Sequence, residues 1–203
     1  MKLRKDERLR LIQQTAIKLI STLGYENTTL EAVADELGYT KQALYYYFKS
    51  KEDMVREILL NSLEEATQRM DEIFSQSSNP AEQLQRLIDF YVDDYFTRQS
   101  FFNVYYQTMR FQHTILNPEE KKILEEGRRA MAQRIISMVE EGIAHHQFKD
   151  LGAQYLGAIV LGMISGVISH YQMPGLKEVS PQQLKQNMFE ILMYGISQRR
   201  QHG

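Results

Sequence analysis

The 203-residue chain contains no cysteine. A disulfide framework, a zinc ribbon, an iron–sulfur centre and a thiol nucleophile are therefore all excluded. Proline is scarce, at four residues, and no stretch alternates apolar and polar residues with a period of two between turn residues, so nothing marks a strand. A glycine-rich phosphate loop, a nucleophile elbow and a His-Glu-x-x-His pair are missing as well. That leaves no catalytic constellation, and no metal or cofactor is expected. Glu141 and His145 share a helix face, but no second Glu-x-x-His completes a di-metal set. The first residues, Met-Lys-Leu-Arg-Lys-Asp-Glu-Arg, put charges where a signal peptide needs an apolar stretch of roughly 7–15 residues. A cytoplasmic location is expected. No repeat and no low-complexity tract interrupts the chain.

What is present is an ordinary folding composition, 43% hydrophobic and 25% charged, enough for one or two compact units with a real core. The net charge of −2 conceals an asymmetry: residues 1–50 carry eight Lys/Arg against six Asp/Glu, whereas residues 51–203 carry sixteen against twenty. A mildly basic head precedes an acidic body.

Apolar residues recur at helical spacing, and the fold class is all-α with nine helices. Leu9, Ile12, Ala16, Leu19 and Leu23 line a first helix over 4–23 that stops at Gly24. Thr28-Thr29-Leu30-Glu31 predicts a capping box with Thr28 as the cap, opening a short helix that ends at Gly38. Thr40 then caps a third helix with Ala43, Leu44, Tyr47 and Phe48 inward, and Ser50-Lys51-Glu52-Asp53 opens a long fourth. Three later starts share one pattern, Asn79-Pro80-Ala81-Glu82, Asn117-Pro118-Glu119-Glu120 and Ser180-Pro181-Gln182-Gln183: a capping side chain, Pro in the first helical position, Glu or Gln in the third. The remaining helices are expected at 80–98, 100–112, 118–146, 151–173 and 181–199. Ser75-Gln76-Ser77-Ser78 reads as a flexible loop.

Helices two and three, joined at Gly38-Tyr39 and braced by the first, have the layout of a helix-turn-helix unit. Thr40, Lys41, Gln42, Tyr45 and Tyr46 fall on the outward side of the third helix. A solvated face rarely needs adjacent tyrosines. A groove-facing helix uses them, the hydroxyls on phosphate oxygens and the rings on sugar and thymine methyl groups. Lys41 can donate to guanine O6/N7 and Gln42 can bond adenine N6/N7, or both can meet the backbone alone. The basic tract Lys2, Arg4, Lys5, Arg8 and Arg10 fits either a solvated helix start or further phosphate contacts.

Residues 28–55, and most of all the run Leu44-Tyr45-Tyr46-Tyr47-Phe48-Lys49-Ser50-Lys51-Glu52, resemble the DNA-binding signature of the TetR family of bacterial transcription regulators. The resemblance implies a DNA-binding head over 1–50 and a helical effector-binding and dimerisation domain over 51–203. It places Lys41 and Gln42 where the family reads bases, Tyr45 and Tyr46 where it meets backbone or thymine methyls, and Thr28 and Lys51 at phosphate contacts. Tyr47 departs from the frequent His at its position. The resemblance further implies a homodimeric, ligand-responsive repressor of a palindromic operator in double-stranded DNA.

Residues 90–111 hold nine aromatic side chains. Core packing explains some; an apolar pocket with polar handles explains the rest, and Tyr91, Tyr95, Phe102, Tyr105, Tyr106, Met109 and Arg110 are its candidate lining. The stretch from Gly157 to Ile196 is loosely similar to members responding to acyl-CoA thioesters, which makes such a lipophilic effector the first candidate. An aromatic, drug-like compound suits the composition equally. Residues 151–176 lack Asp, Glu, Lys and Arg, yet Gln154, Ser165, Ser169 and His170 make a membrane span a poor fit. Ala158, Gly162, Ser165, Gly166 and Ser169 are small residues at helical spacing; with Phe189, Leu192, Met193 and Ile196 they suit a two-fold dimer interface or burial within the monomer. A DNA-binding protein without an effector and a helical-bundle enzyme are the competing classes.

Overall fold

Helix starts are set by side-chain caps. In the computed structural model, which describes residues 5–108, 111–171 and 175–196, the Asn117 side chain accepts from the Glu120 amide at 2.9 Å while Glu120 accepts from the Asn117 amide at 2.9 Å. This reciprocal pair satisfies two donors that the first helical turn would otherwise leave bare. Asn79 accepts from the Ala81 amide at 3.0 Å, and Ser180 from that of Gln183 at 3.2 Å. The expected starts at Pro80, Pro118 and Pro181 are all present. Ser50 likewise accepts from the Asp53 amide at 3.1 Å.

The helices are α1 (Lys5–Leu23), α2 (Leu30–Leu37), α3 (Lys41–Tyr45), α4 (Lys51–Ser75), α5 (Pro80–Thr97), α6 (Gln99–Thr108), α7 (Gln112–Ile115), α8 (Pro118–Ala144), α9 (Ala153–His170) and α10 (Pro181–Ile196). All nine expected helices are there, with the single turn α7 added where the sixth was expected to end. Among the described residues there is no strand.

One cap differs from expectation. Thr29, not Thr28, is the N-cap of α2, its hydroxyl accepting from the Ala32 amide at 3.1 Å. Thr28 is 0% exposed, and its hydroxyl donates to the Gly24 carbonyl at 2.9 Å. Adjacent threonines each satisfy the capping pattern, and burial decides which hydroxyl faces the helix end.

The chain forms two compact units, residues 1–65 with 98–125, and 66–97 with 126–203. Residues 98–125 thus fall in the same unit as the first 65 residues. In the first unit Ile12, Ala16, Leu30, Val33, Leu44, Phe48, Met54, Ile58 and Phe101 form one core cluster. Ile20, Tyr25, Val55, Leu59, Val104 and Leu124 form a second. Leu23, expected on the buried face of the first helix, is 50% exposed.

In the second unit α5, α9 and α10 pack on one another around buried Leu87, Val92, Val160, Ile164, Leu184 and Met188. By length and composition α9 could cross a membrane, but here it is one layer of this bundle. The expected interface residues divide. Ala158, Gly162, Ser165 and Ser169 are exposed and Gly166 is half-buried. Leu192 is 3% exposed within the single chain, so it is a core residue and not part of an open face. Phe189 and Met193 are half-buried, and the Ile196 side chain lies outside the described set. Open apolar area is supplied instead by Tyr155, Ile159, Ile191 and Tyr194.

Candidate nucleic-acid interface

The α2–α3 turn is made by Gly38, whose φ of 65° lies in the left-handed region that only glycine enters without steric cost. Its amide donates to the Asp35 carbonyl at 3.1 Å, and the next amide, Tyr39, to that of Ala34 at 2.9 Å. Thr40 then caps α3 by accepting from the Ala43 amide at 3.2 Å. Beyond the last regular turn of α3, Tyr47 and Phe48 donate their amides to the Leu44 carbonyl at 2.9 and 3.0 Å.

This geometry sorts the side chains by face. Leu44 and Phe48 are buried, and Ala43 and Tyr47 half-buried. Thr40, Lys41, Gln42, Tyr45 and Tyr46 are all exposed, Tyr46 at 74%. An adjacent pair of open phenols, an amide and an ammonium on one helix face make a hydrogen-bonding surface that can address base edges and phosphates.

Two of these groups are held by a carboxylate. Glu31, in the first turn of α2, lies 2.5 Å from the Lys41 ammonium and accepts from the Tyr45 hydroxyl at 3.1 Å. The ammonium also stands 5.5 Å from the centre of the Tyr45 ring. Pairing with Lys41, helped by a backbone hydrogen bond, lowers the Glu31 carboxyl from 4.5 to about 2 and raises Lys41. Sequence reasoning used Glu31 only as a helix-start residue; a carboxylate one short helix and one tight turn before a lysine is the signal that could have located it.

Two residues to which the resemblance assigns phosphate contacts are engaged with the protein itself. Thr28 is buried and bonded to Gly24, which removes its hydroxyl from any surface. Lys51 donates to the carbonyls of Tyr25 at 2.7 Å and Glu26 at 3.3 Å and sits 4.4 Å from the centre of the Tyr25 ring. Tyr25, which sequence reasoning passed over, is a hub. Its hydroxyl donates to Glu52 at 3.3 Å, its amide to Gln107 at 3.2 Å, and its ring lies 5.0 Å from Phe111. Burial first, and the Glu52 carboxylate second, push its phenol well above the usual range.

Of the expected pocket lining, Tyr91, Tyr95, Phe102 and Tyr105 are among the residues whose side chains are described. Tyr95 is buried and stacks edge-on with Phe96 and Tyr171 at 5.4 and 5.6 Å, and Tyr91 packs beside Phe90. Phe102 and Tyr105 pack on the core of the first unit. Met109, Arg110 and the side chain of Tyr106 lie outside the described residues. A cavity of about 440 Å³ in the second unit is lined by Phe74, Gln83, Gln133, Arg134, Met138 and Glu141, among others. Gln83 is buried, donates to the Ser77 carbonyl at 2.7 Å, and leaves its Oε1 without a partner.

Comparison with known proteins agrees with this reading of the head. Residues 12–58 match the family described as bacterial regulatory proteins, tetR family, and residues 77–196 match its tetracyclin repressor-like C-terminal domain. The transcriptional repressor KstR2 of Mycolicibacterium smegmatis is 25% identical over 207 residues, covering 96% of this chain and 91% of its own. The structure of the ketosteroid transcriptional regulator KstR2 of Mycobacterium tuberculosis superposes with a TM-score of 0.81 at 22% identity, covering 97% of this chain and 98% of the other. A regulator from Saccharomonospora viridis in complex with choline gives 0.80 at 23% identity, over 96% and 100% of the two chains. The chain belongs to the TetR family of bacterial regulatory proteins, and it is a DNA-binding transcription regulator, not an enzyme.

Proposed function

We propose that two copies of this chain repress transcription by binding a palindromic operator, each setting α3 into one of two major grooves about 34–36 Å apart. The observation that carries this is the exposed row Thr40, Lys41, Gln42, Tyr45 and Tyr46 on a helix fixed by a capped, left-handed turn. Lys41 and Gln42 address bases, and Tyr45 and Tyr46 address backbone and methyl groups. The second copy docks on the open side of α9 and α10, which carry exposed Tyr155, Ile159, Ile191 and Tyr194 and the exposed small residues Ala158, Gly162 and Ser165. A DNA-bound role belongs in the cytoplasm.

The effector site is the cavity of the second unit. Phe74 and Met138 offer an apolar wall, and Gln83, Gln133 and Arg134 offer polar groups, which suits an amphiphile with a polar head; acyl-CoA thioesters are the first class to try. Phe74 lies near the end of α4, the helix that begins at Lys51, so a ligand moving Phe74 acts on a helix anchored in the first unit. Release requires the ligand to bind the DNA-incompetent state more tightly than the DNA-bound one.

The test is selection of duplexes from fragments of the source genome at near-physiological salt with excess competitor DNA. Enrichment of a palindrome, with the preference relaxed by Lys41→Ala, supports the reading. If nothing enriches over several salt concentrations, sequence-specific recognition is lost as a function.

A further inference from the structure

We infer that Glu31 is a specificity-determining residue: its carboxylate holds Lys41 and Tyr45 in the DNA-free protein and releases them only to a site that replaces those bonds. The inference rests on the proposed meeting of α3 with DNA. A single oxygen makes both contacts, with the Lys41 ammonium at 2.5 Å and the Tyr45 hydroxyl at 3.1 Å from the same Oε1.

An unpaired lysine on a groove-facing helix is drawn to phosphate whatever the sequence, through counterion release. Glu31 cancels that attraction locally. Its place in the first turn of α2 keeps it there, because a helix N-terminus favours negative charge. A random duplex offers Lys41 a phosphate in exchange for a carboxylate, while leaving Glu31 unpaired beside a polyanion. An operator offers base-edge acceptors to Lys41 together with a partner for Tyr45, and so exchanges both bonds at once. Glu31 thus penalises nonspecific binding more than specific binding. Elsewhere on the head the same restraint recurs: Lys18 pairs with Glu36 at 2.8 Å, and Lys51 is bonded to two carbonyls.

The experiment measures affinity for the selected palindrome and for a scrambled duplex of equal length across a salt series. It compares the wild type, Glu31→Gln, Lys41→Gln, the double variant, and Asp35→Asn as an equal change of charge on the same helix. Thermal melting confirms that each is folded. Glu31→Gln is expected to tighten scrambled binding by up to about fivefold, the scale of a surface ion pair. It should also steepen the scrambled salt dependence by about 0.9 in log–log slope, one added phosphate contact. Palindrome affinity changes less, so the ratio falls. In the Lys41→Gln background the Glu31→Gln effect shrinks to what the Tyr45 bond alone supplies, and Asp35→Asn leaves the ratio alone.

An unchanged ratio in Glu31→Gln, or the same Glu31→Gln effect with and without Lys41, overturns the inference in favour of plain long-range charge. Lys41→Gln leaving both affinities untouched is a different failure, since it removes the α3 contact on which the inference stands.

Discussion

The Glu31 carboxyl is depressed from 4.5 to about 2, chiefly by its bond to Lys41. A carboxyl lowered by folding makes its contribution above its ordinary range and loses it as pH falls through the lower value. The pair therefore persists through neutral and mildly acid solution; its contribution to stability fades below pH 4.5, and the pair itself opens as pH falls through about 2. A side-chain carboxyl NMR titration should place the Glu31 midpoint near 2, moving up toward 4.5 in Lys41→Gln; a wild-type midpoint already at 4.5 would mean that Lys41 is not held. Lys51 makes a different kind of contact. Two of its donors close the turn between α1 and α2 at the Tyr25 and Glu26 carbonyls, and hydrogen bonds to a charged group are worth about 1.5–3 kcal/mol. Because Lys51 is only half-buried, Lys51→Met is expected at the low end, about 1.5 kcal/mol in chemical denaturation, with operator preference retained.

Among the elements, two glycines are needed for opposite reasons. At Gly38 a Cβ would meet nothing within 4 Å, but the φ of 65° is strained for any L side chain. Gly38→Ala should cost about 1–2 kcal/mol through the backbone alone. At Gly142 the helix backbone is ordinary, and a Cβ would collide with the ring of Phe148, which is fully buried and donates its amide to the Gly142 carbonyl at 3.0 Å. Gly142→Ala should cost about 1–3 kcal/mol by overpacking, and Phe148→Leu in the same chain should recover part of it, as equilibrium denaturation would show. Nearly every helix start was legible in the sequence, because Pro after Asn or Ser is a local signal that needs no tertiary context. Thr28 and Thr29 were not separable, since both fit the pattern and only packing buries one. The faces of α3 were legible from its period. The grip of Glu31 on Lys41 and Tyr45 was not, because a turn in space creates it. The aromatic run was less legible for a related reason: residue type reports the need for burial, not whether a ring meets a cavity or, as Tyr95 does, another ring.

At the scale of the whole molecule, half of the large open apolar side chains among the described residues lie on α9, α10 and the segment before α9, with Tyr194 81% and Ile191 63% exposed. Ile191→Glu with Tyr194→Glu should yield a folded monomer in sedimentation and weaken binding to a two-half-site palindrome by orders of magnitude, since each head then acts alone. Retention of a dimer by this variant would move the interface elsewhere. Leu192→Glu is the contrasting change. Its side chain is 3% exposed in one chain, so it should lower the melting temperature instead of merely separating copies. The open face also has a meaning for the cell. On the proposed pairing of two copies through it, a regulator that must meet a copy of itself before it can grip both half-sites responds, while pairs are scarce, to the square of its own abundance, so a modest fall in synthesis is felt at the promoter as a large one.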